Sequence, residues 1–86
     1  MSVTAENPIP DKTLDVKGLL CPIPVMKTFQ AIQKLAVGQI LEVLATDPAS
    51  KPDMDAWSKK TGHSLLKIED LPENPPVFRF LIRKTK

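Results

Sequence analysis

Three features of this 86-residue sequence predict a two-layer α/β sandwich with two helices packed on one face of a four-stranded mixed sheet. The apolar periodicity switches between two and 3.6 along the chain in the order β-α-β-α-β-β. The nine prolines fall in helix first turns, connections and the N-terminal stretch, outside element interiors. The length supports a single thin core, because a chain this small buries only about 60–65% of its unfolded surface.

Residues 1–11 carry two prolines, Pro8 and Pro10, and show no periodicity, so they read as a flexible tail before a domain spanning 12–86. Thr13 to Lys17 alternates, with Leu14 and Val16 on one face, as a short half-buried strand does. From Pro22 the spacing becomes helical. Val25, Phe29, Ile32 and Ala36 form the apolar stripe, flanked by Met26 and Leu35, and the helix is predicted to end near Val37-Gly38. Ile40 to Ala45 is a strand covered on both faces.

Thr46-Asp47-Pro48-Ala49-Ser50 is turn chemistry, with Asp47 or Ser50 expected to cap a second helix from about Pro52 to Thr61. Met54 and Trp57 are its expected buried residues, and Gly62 its stop. Ser64 to Glu69 reads as a strand with Leu66 and Ile68 facing one way. Pro72, Pro75 and Pro76 stiffen the next connection. Val77 to Lys84 closes the chain with Phe78, Phe80 and Ile82 inward and Arg79 and Arg83 outward.

The formal charge of +2 conceals a gradient. Lys12, Lys17, Lys27 and Lys34 face only Asp15 in residues 12–36, and the last ten residues hold Arg79, Arg83, Lys84 and Lys86 without an acid. The stretch between is net acidic. A positive side would suit an acidic protein or nucleic acid. One cysteine closes no intrachain disulfide, no apolar run approaches a membrane span, and the first residues lack a signal-peptide pattern. A cytoplasmic monomer is the expectation.

The chemistry concentrates at Gly18-Leu19-Leu20-Cys21-Pro22-Ile23-Pro24. Two prolines two residues apart are compatible with a helix only in its first turn, where amides have no intrahelical acceptor. Cys21 is thereby placed at or just before the N-cap. The positive end of the helix dipole there favours a thiolate and a lowered pKa. Lys17 and Lys27 are expected to add charge nearby. Cysteine is otherwise often a small buried hydrophobe, but the proline pattern argues for an exposed thiol.

Several chemistries are excluded by what Cys21 lacks. No C-x-x-C pair supports dithiol exchange, no second cysteine resolves a sulfenic acid, and Cys21 with His63 is too small a set for a metal. No cofactor is called for. His63 as a base for Cys21 has no orienting acid, and a turn position suits it better.

Leu14-Asp15-Val16-Lys17-Gly18-Leu19-Leu20-Cys21-Pro22-Ile23-Pro24 resembles the signature of the TusA-like (SirA-like) sulfur carrier family, Leu-Asp-x-x-Gly-Leu-x-Cys-Pro-x-Pro. Asp47-Pro48-Ala49, Gly62-His63 and Phe80-Leu81-Ile82-Arg83-Lys84 extend the resemblance over about residues 13–86. It implies the same two-layer fold and a small carrier whose motif cysteine, Cys21, accepts sulfur as a persulfide or thiosulfonate and hands it on. Implied donors are a cysteine desulfurase or a rhodanese-like protein, and the implied acceptor is a DsrE- or TusD-like protein. Destinations include tRNA thiolation, cofactor biosynthesis and sulfur oxidation.

On this reading Pro22, Ile23 and Pro24 shape the surroundings of Cys21, and Arg79 and Arg83 bind partners. The protein then works as a sulfurtransferase-type carrier by thiol-persulfide exchange rather than as a free-standing enzyme. Family members often hold an acid between the prolines. Ile23 departs from that, and an apolar side chain there also suits docking. Where some members place a further cysteine, this chain has Trp57-Ser58, which leaves a one-thiol mechanism. The alternative from a different class is a regulatory or nucleic-acid-binding module using the basic face. Few aromatics (5%) and no tyrosine weigh against it.

Overall fold

In a computed structural model the described residues are 9–86. The elements follow the predicted order: β1 (Lys12–Asp15), α1 (Ile23–Gln33), β2 (Ile40–Ala45), α2 (Ser50–Thr61), β3 (Ser64–Leu71) and β4 (Val77–Arg83). The sheet order is β1-β2-β4-β3. β1 runs parallel to β2, with Leu14 opposite Val43, while β4 is antiparallel to both β2 and β3. The expected mixed sheet is therefore present. Of the N-terminal stretch, residues 1–8 lie outside the described residues. Asp11 is tied to the sheet, its amide donating to the Ile40 carbonyl (2.8 Å) and its carboxylate accepting from the Ile40 amide (2.7 Å).

The core lies between one sheet face and both helices. Leu41, Val43 and Ala45 of β2 and Phe80 and Ile82 of β4 meet Ala31 and Ile32 of α1, Met54 of α2 and Val16. Alternation along β4 thus puts Phe80 and Ile82 inward as predicted, with Phe78 packed at the margin. The opposite face carries a polar relay across all four strands. The Thr13 hydroxyl donates to Glu42 (2.7 Å), and the Arg79 guanidinium pairs with Glu42 and with Glu69 (3.1 Å). Partial burial pushes the Glu42 carboxyl up, but hydrogen bonds from Arg79 and Thr13 hold it below its ordinary value.

Two expectations are corrected, for the buried side of α1 and for the cap of α2. The buried side of α1 is Pro24, Thr28, Ala31 and Ile32, so the stripe is rotated and Phe29 is left 44% exposed. The rotation is possible because Thr28 satisfies its hydroxyl locally, donating to the Pro24 carbonyl at 2.7 Å. In β3 Leu66 and Ile68 share one side of the strand as predicted, the more exposed one, while Leu65 packs against the core, and the register shifts between Leu65 and Lys67. Such an irregularity re-aims the side chains that follow it. Ser50 is the first residue of α2 rather than its cap: Ala49 takes that place, without a side-chain capping bond.

Helix ends follow ordinary rules. Gly62 closes α2 at φ 86°, a left-handed conformation that disfavours a side chain, as expected of a helix stop. α1 ends at Gln33, earlier than predicted. There Lys84 Nζ donates to the carbonyls of Gln33 (3.2 Å) and Leu35 (2.7 Å), placing a cation on the negative helix end.

Phe80 is the largest fully buried side chain. Phe80→Ala is expected to cost about 3–5 kcal/mol, read as a lower urea midpoint with an unchanged denaturant slope.

Candidate functional site

Parallel pairing puts the carboxyl ends of β1 and β2 side by side, so the chain leaves both strands into adjacent loops. Hydrogen bonds stitch these loops together. The Val16 amide donates to the Leu44 carbonyl (2.8 Å), the Gly18 amide to the Thr46 hydroxyl (2.9 Å), and the Cys21 amide to Asp47 Oδ2 (2.7 Å). Asp47 thus anchors the cysteine's backbone instead of capping α2, while its other oxygen accepts from the Ala49 amide (3.1 Å).

Cys21 directly precedes the N-cap, Pro22, and Pro24 is the second residue of α1. That is the placement the two prolines predict. The Ile23 amide donates to the Leu20 carbonyl (2.9 Å) and the Met26 amide to the Pro22 carbonyl (3.1 Å). The thiol is free and exposed.

The polar partner of Cys21 Sγ is Asp53, whose carboxylate accepts the thiol hydrogen. Asp53 lies in the first turn of α2, where an acid complements the positive helix end. This arrangement corrects the expectation of a lowered thiol pKa. The hydrogen bond to Asp53, local desolvation and the negative charges of Asp53 and Asp47 all push the Cys21 thiol up. Two nearby carboxylates outweigh the favourable end of one helix dipole, because a contact charge acts more strongly than a fractional one farther off. The resting group is a protonated thiol held in hydrogen-bond contact with a base.

The other predicted site residues divide between two faces. Ile23 is exposed beside Cys21. Lys17 turns back to Asp15 (3.9 Å). Lys27 lines a cleft of about 180 Å³ between β1 and α1 with Lys12 and Lys34. Arg79 is engaged by Glu42 and Glu69 on the sheet face away from the helices, and Arg83 shares that side of β4, exposed. His63 does not serve the thiol. Its ring packs on Trp57 (5.7 Å between centroids) and its Nδ1 accepts from the Thr85 amide (3.2 Å). Burial, with Lys84 and Lys86, lowers its pKa.

Sequence reasoning missed Asp53 altogether. Its only signal was an acid in the first turn of a helix whose turn, through Asp47, belongs to the same neighbourhood as the cysteine.

No group of residues suited to a metal occurs among the described residues, and the chain has one cysteine. A two-layer sandwich presenting one exposed thiol at a Cys-Pro-x-Pro helix entrance is the arrangement that the resemblance to the sulfur carrier family implies. Comparison with known proteins agrees. The family described as "Sulfurtransferase TusA" matches residues 12–84. The putative sulfur carrier protein YrkI of Bacillus subtilis is 49% identical over 74 residues, covering 86% of this chain and 95% of that protein. The sulfur carrier protein TusA of Allochromatium vinosum is 40% identical over 75 residues, covering 87% of this chain and 95% of its own. The crystal structure of a SirA-like protein from Desulfitobacterium hafniense superposes with a TM-score of 0.69 at 25% identity, over 87% of this chain and 99% of that one. The chain belongs to the TusA sulfur carrier family.

Asp53→Asn removes the charge that keeps the thiol protonated. The pH midpoint of Cys21 alkylation by iodoacetamide is expected to fall, with alkylation at pH 7 faster by about three- to tenfold. An unchanged midpoint would show that Asp53 does not control the thiol.

Proposed function

We propose that Cys21 carries sulfur as a persulfide between two protein partners, accepting it from a cysteine desulfurase or rhodanese-like donor and yielding it to a DsrE-like acceptor. The observation that carries this reading is the position of Cys21. It is exposed, fixed by Asp47 through its amide and hydrogen-bonded through Sγ to Asp53, on a chain of the TusA family.

The exchange is redox-neutral. Cys21 gives its proton to Asp53 as Sγ attacks the outer sulfur of the donor persulfide. The donor's S–S bond breaks, its electron pair stays on the inner sulfur, and the departing thiolate collects the proton. In the second half an acceptor thiolate attacks the outer sulfur held on Cys21. The Sγ–S bond breaks, and Cys21 leaves as a thiolate that is reprotonated beside Asp53. Asp53 touches the reacting sulfur in both halves, so it is a catalytic residue of the exchange.

An exposed thiol without an enclosing pocket suits a donor that is itself a protein, since a partner's surface supplies the walls. Incubation with a cysteine desulfurase and cysteine, followed by intact-mass spectrometry, is expected to add the mass of one sulfur atom to the wild type and none to Cys21→Ser. Equal gain in both, or gain in neither, would overturn the persulfide reading.

A further inference from the structure

Between α1 and α2 lies an open groove of about 560 Å³. Val25, Met26 and Phe29 form one wall and Trp57 and Lys60 belong to the other. The two aliphatic and two aromatic side chains make it almost wholly apolar. Phe29 and Met26 are exposed by 44% and 52%, although the periodicity of α1 would have buried Phe29. Met26 and Ile23 are one turn apart, and Ile23 and Leu20 stand exposed by 39% and 72% on either side of Cys21. An apolar track therefore runs from the thiol along α1 into the groove. Exposed apolar surface of this continuity marks an interaction site more often than accident.

The charges along the track are ordered. Asp47 and Asp53 stand at its thiol end. Lys60 is the only charged lining residue at the far end, and among the described residues it makes no ion pair. We infer that this groove receives an apolar segment of the protein that delivers sulfur to Cys21, with an acidic side chain of that segment set against Lys60. The inference rests on the persulfide reading and names its docking surface. The occupant has to be apolar because burying Val25, Met26, Phe29 and Trp57 against a polar surface forfeits the gain from removing them from water. It carries an acid because Lys60 would otherwise lose hydration without a partner. The polarity gives the segment one direction, so its approach sets the donor's persulfide at the thiol end. The Arg79 face carries no such track, since its guanidinium is already satisfied by Glu42 and Glu69.

The test uses the full chain and two purified probes, a cysteine desulfurase and a rhodanese-like sulfurtransferase, with glutathione persulfide as a small donor that needs no docking. Trp57 is the single tryptophan, so ¹⁵N-labelled protein gives one indole N–H signal, which reports the groove while the unlabelled probe stays silent. That signal is expected to shift or broaden with the protein donor. Met26→Asp and Lys60→Glu, both at solvent-facing positions, are expected to slow loading from the protein donor by at least about tenfold. Loading from glutathione persulfide should stay within about twofold, since that donor makes no groove contact. An indole signal unmoved by both protein donors, or variants loaded by the protein donor as fast as wild type, overturns the groove assignment and leaves the persulfide reading intact. An indole shift with no loading of Cys21 from any donor overturns the persulfide reading instead.

Discussion

The parallel pairing of β1 with β2 is the constraint on which the site depends. Parallel strands exit at the same end of a sheet, so two chain segments 26 residues apart, at Cys21 and Asp47, become hydrogen-bonded neighbours. Had the pair been antiparallel, the loop after β2 would lie at the opposite end of the sheet and the thiol would lack these carboxylates. Both connections then turn into helices, which brings two positive helix ends to the same corner. The acids found there are the complement of that field. Val16, fully buried beneath the loops, fixes the level at which the chain leaves β1, and Gly18, at φ 83°, lets it turn back toward Thr46.

Much of this was legible in the order of residues. Pro22 and Pro24 located the helix start because only the first turn tolerates two missing amides, and the alternation of Phe78, Phe80 and Ile82 located the inner face of β4. The strand from Ile40 to Ala45 was bounded correctly by an apolar run broken only by Glu42. What escaped was whatever depended on how elements meet. The rotation of α1 was hidden because Thr28 looks polar in sequence yet spends its hydroxyl on the Pro24 carbonyl, while Phe29 looks like core yet has no sheet residue to meet. Asp53 was invisible as a site residue because its distance from Cys21 is set by strand pairing.

The same long-range contact reverses the local electrostatics. A thiol at the start of a helix is ordinarily drawn toward its anionic form, and the motif alone argues for that. With Asp53 accepting the thiol hydrogen, the neutral form is favoured and a base is already in contact. For a carrier this is a coherent compromise. A standing thiolate on an exposed loop would react with any oxidant or electrophile it met. A thiol paired with a carboxylate reacts when a donor is seated and the proton has somewhere to go.

The carboxylates also bear on the loaded state. On the proposed reading the loaded form is a persulfide, a stronger acid than its parent thiol, so the sulfur on Cys21 would be anionic beside Asp53 and Asp47, where like charges disfavour it. A carrier that holds its cargo too firmly does not pass it on, and repulsion at the attachment point favours its departure to an acceptor. The opposing requirement, that loading still occurs, is met by binding energy gathered away from the reacting atoms. On the docking inferred above, the apolar track leading from Ile23 to Trp57 supplies it, because contacts there stabilise the encounter without stabilising the cargo. Separating where the partner is held from where the sulfur is held keeps transfer in both directions from becoming a trap.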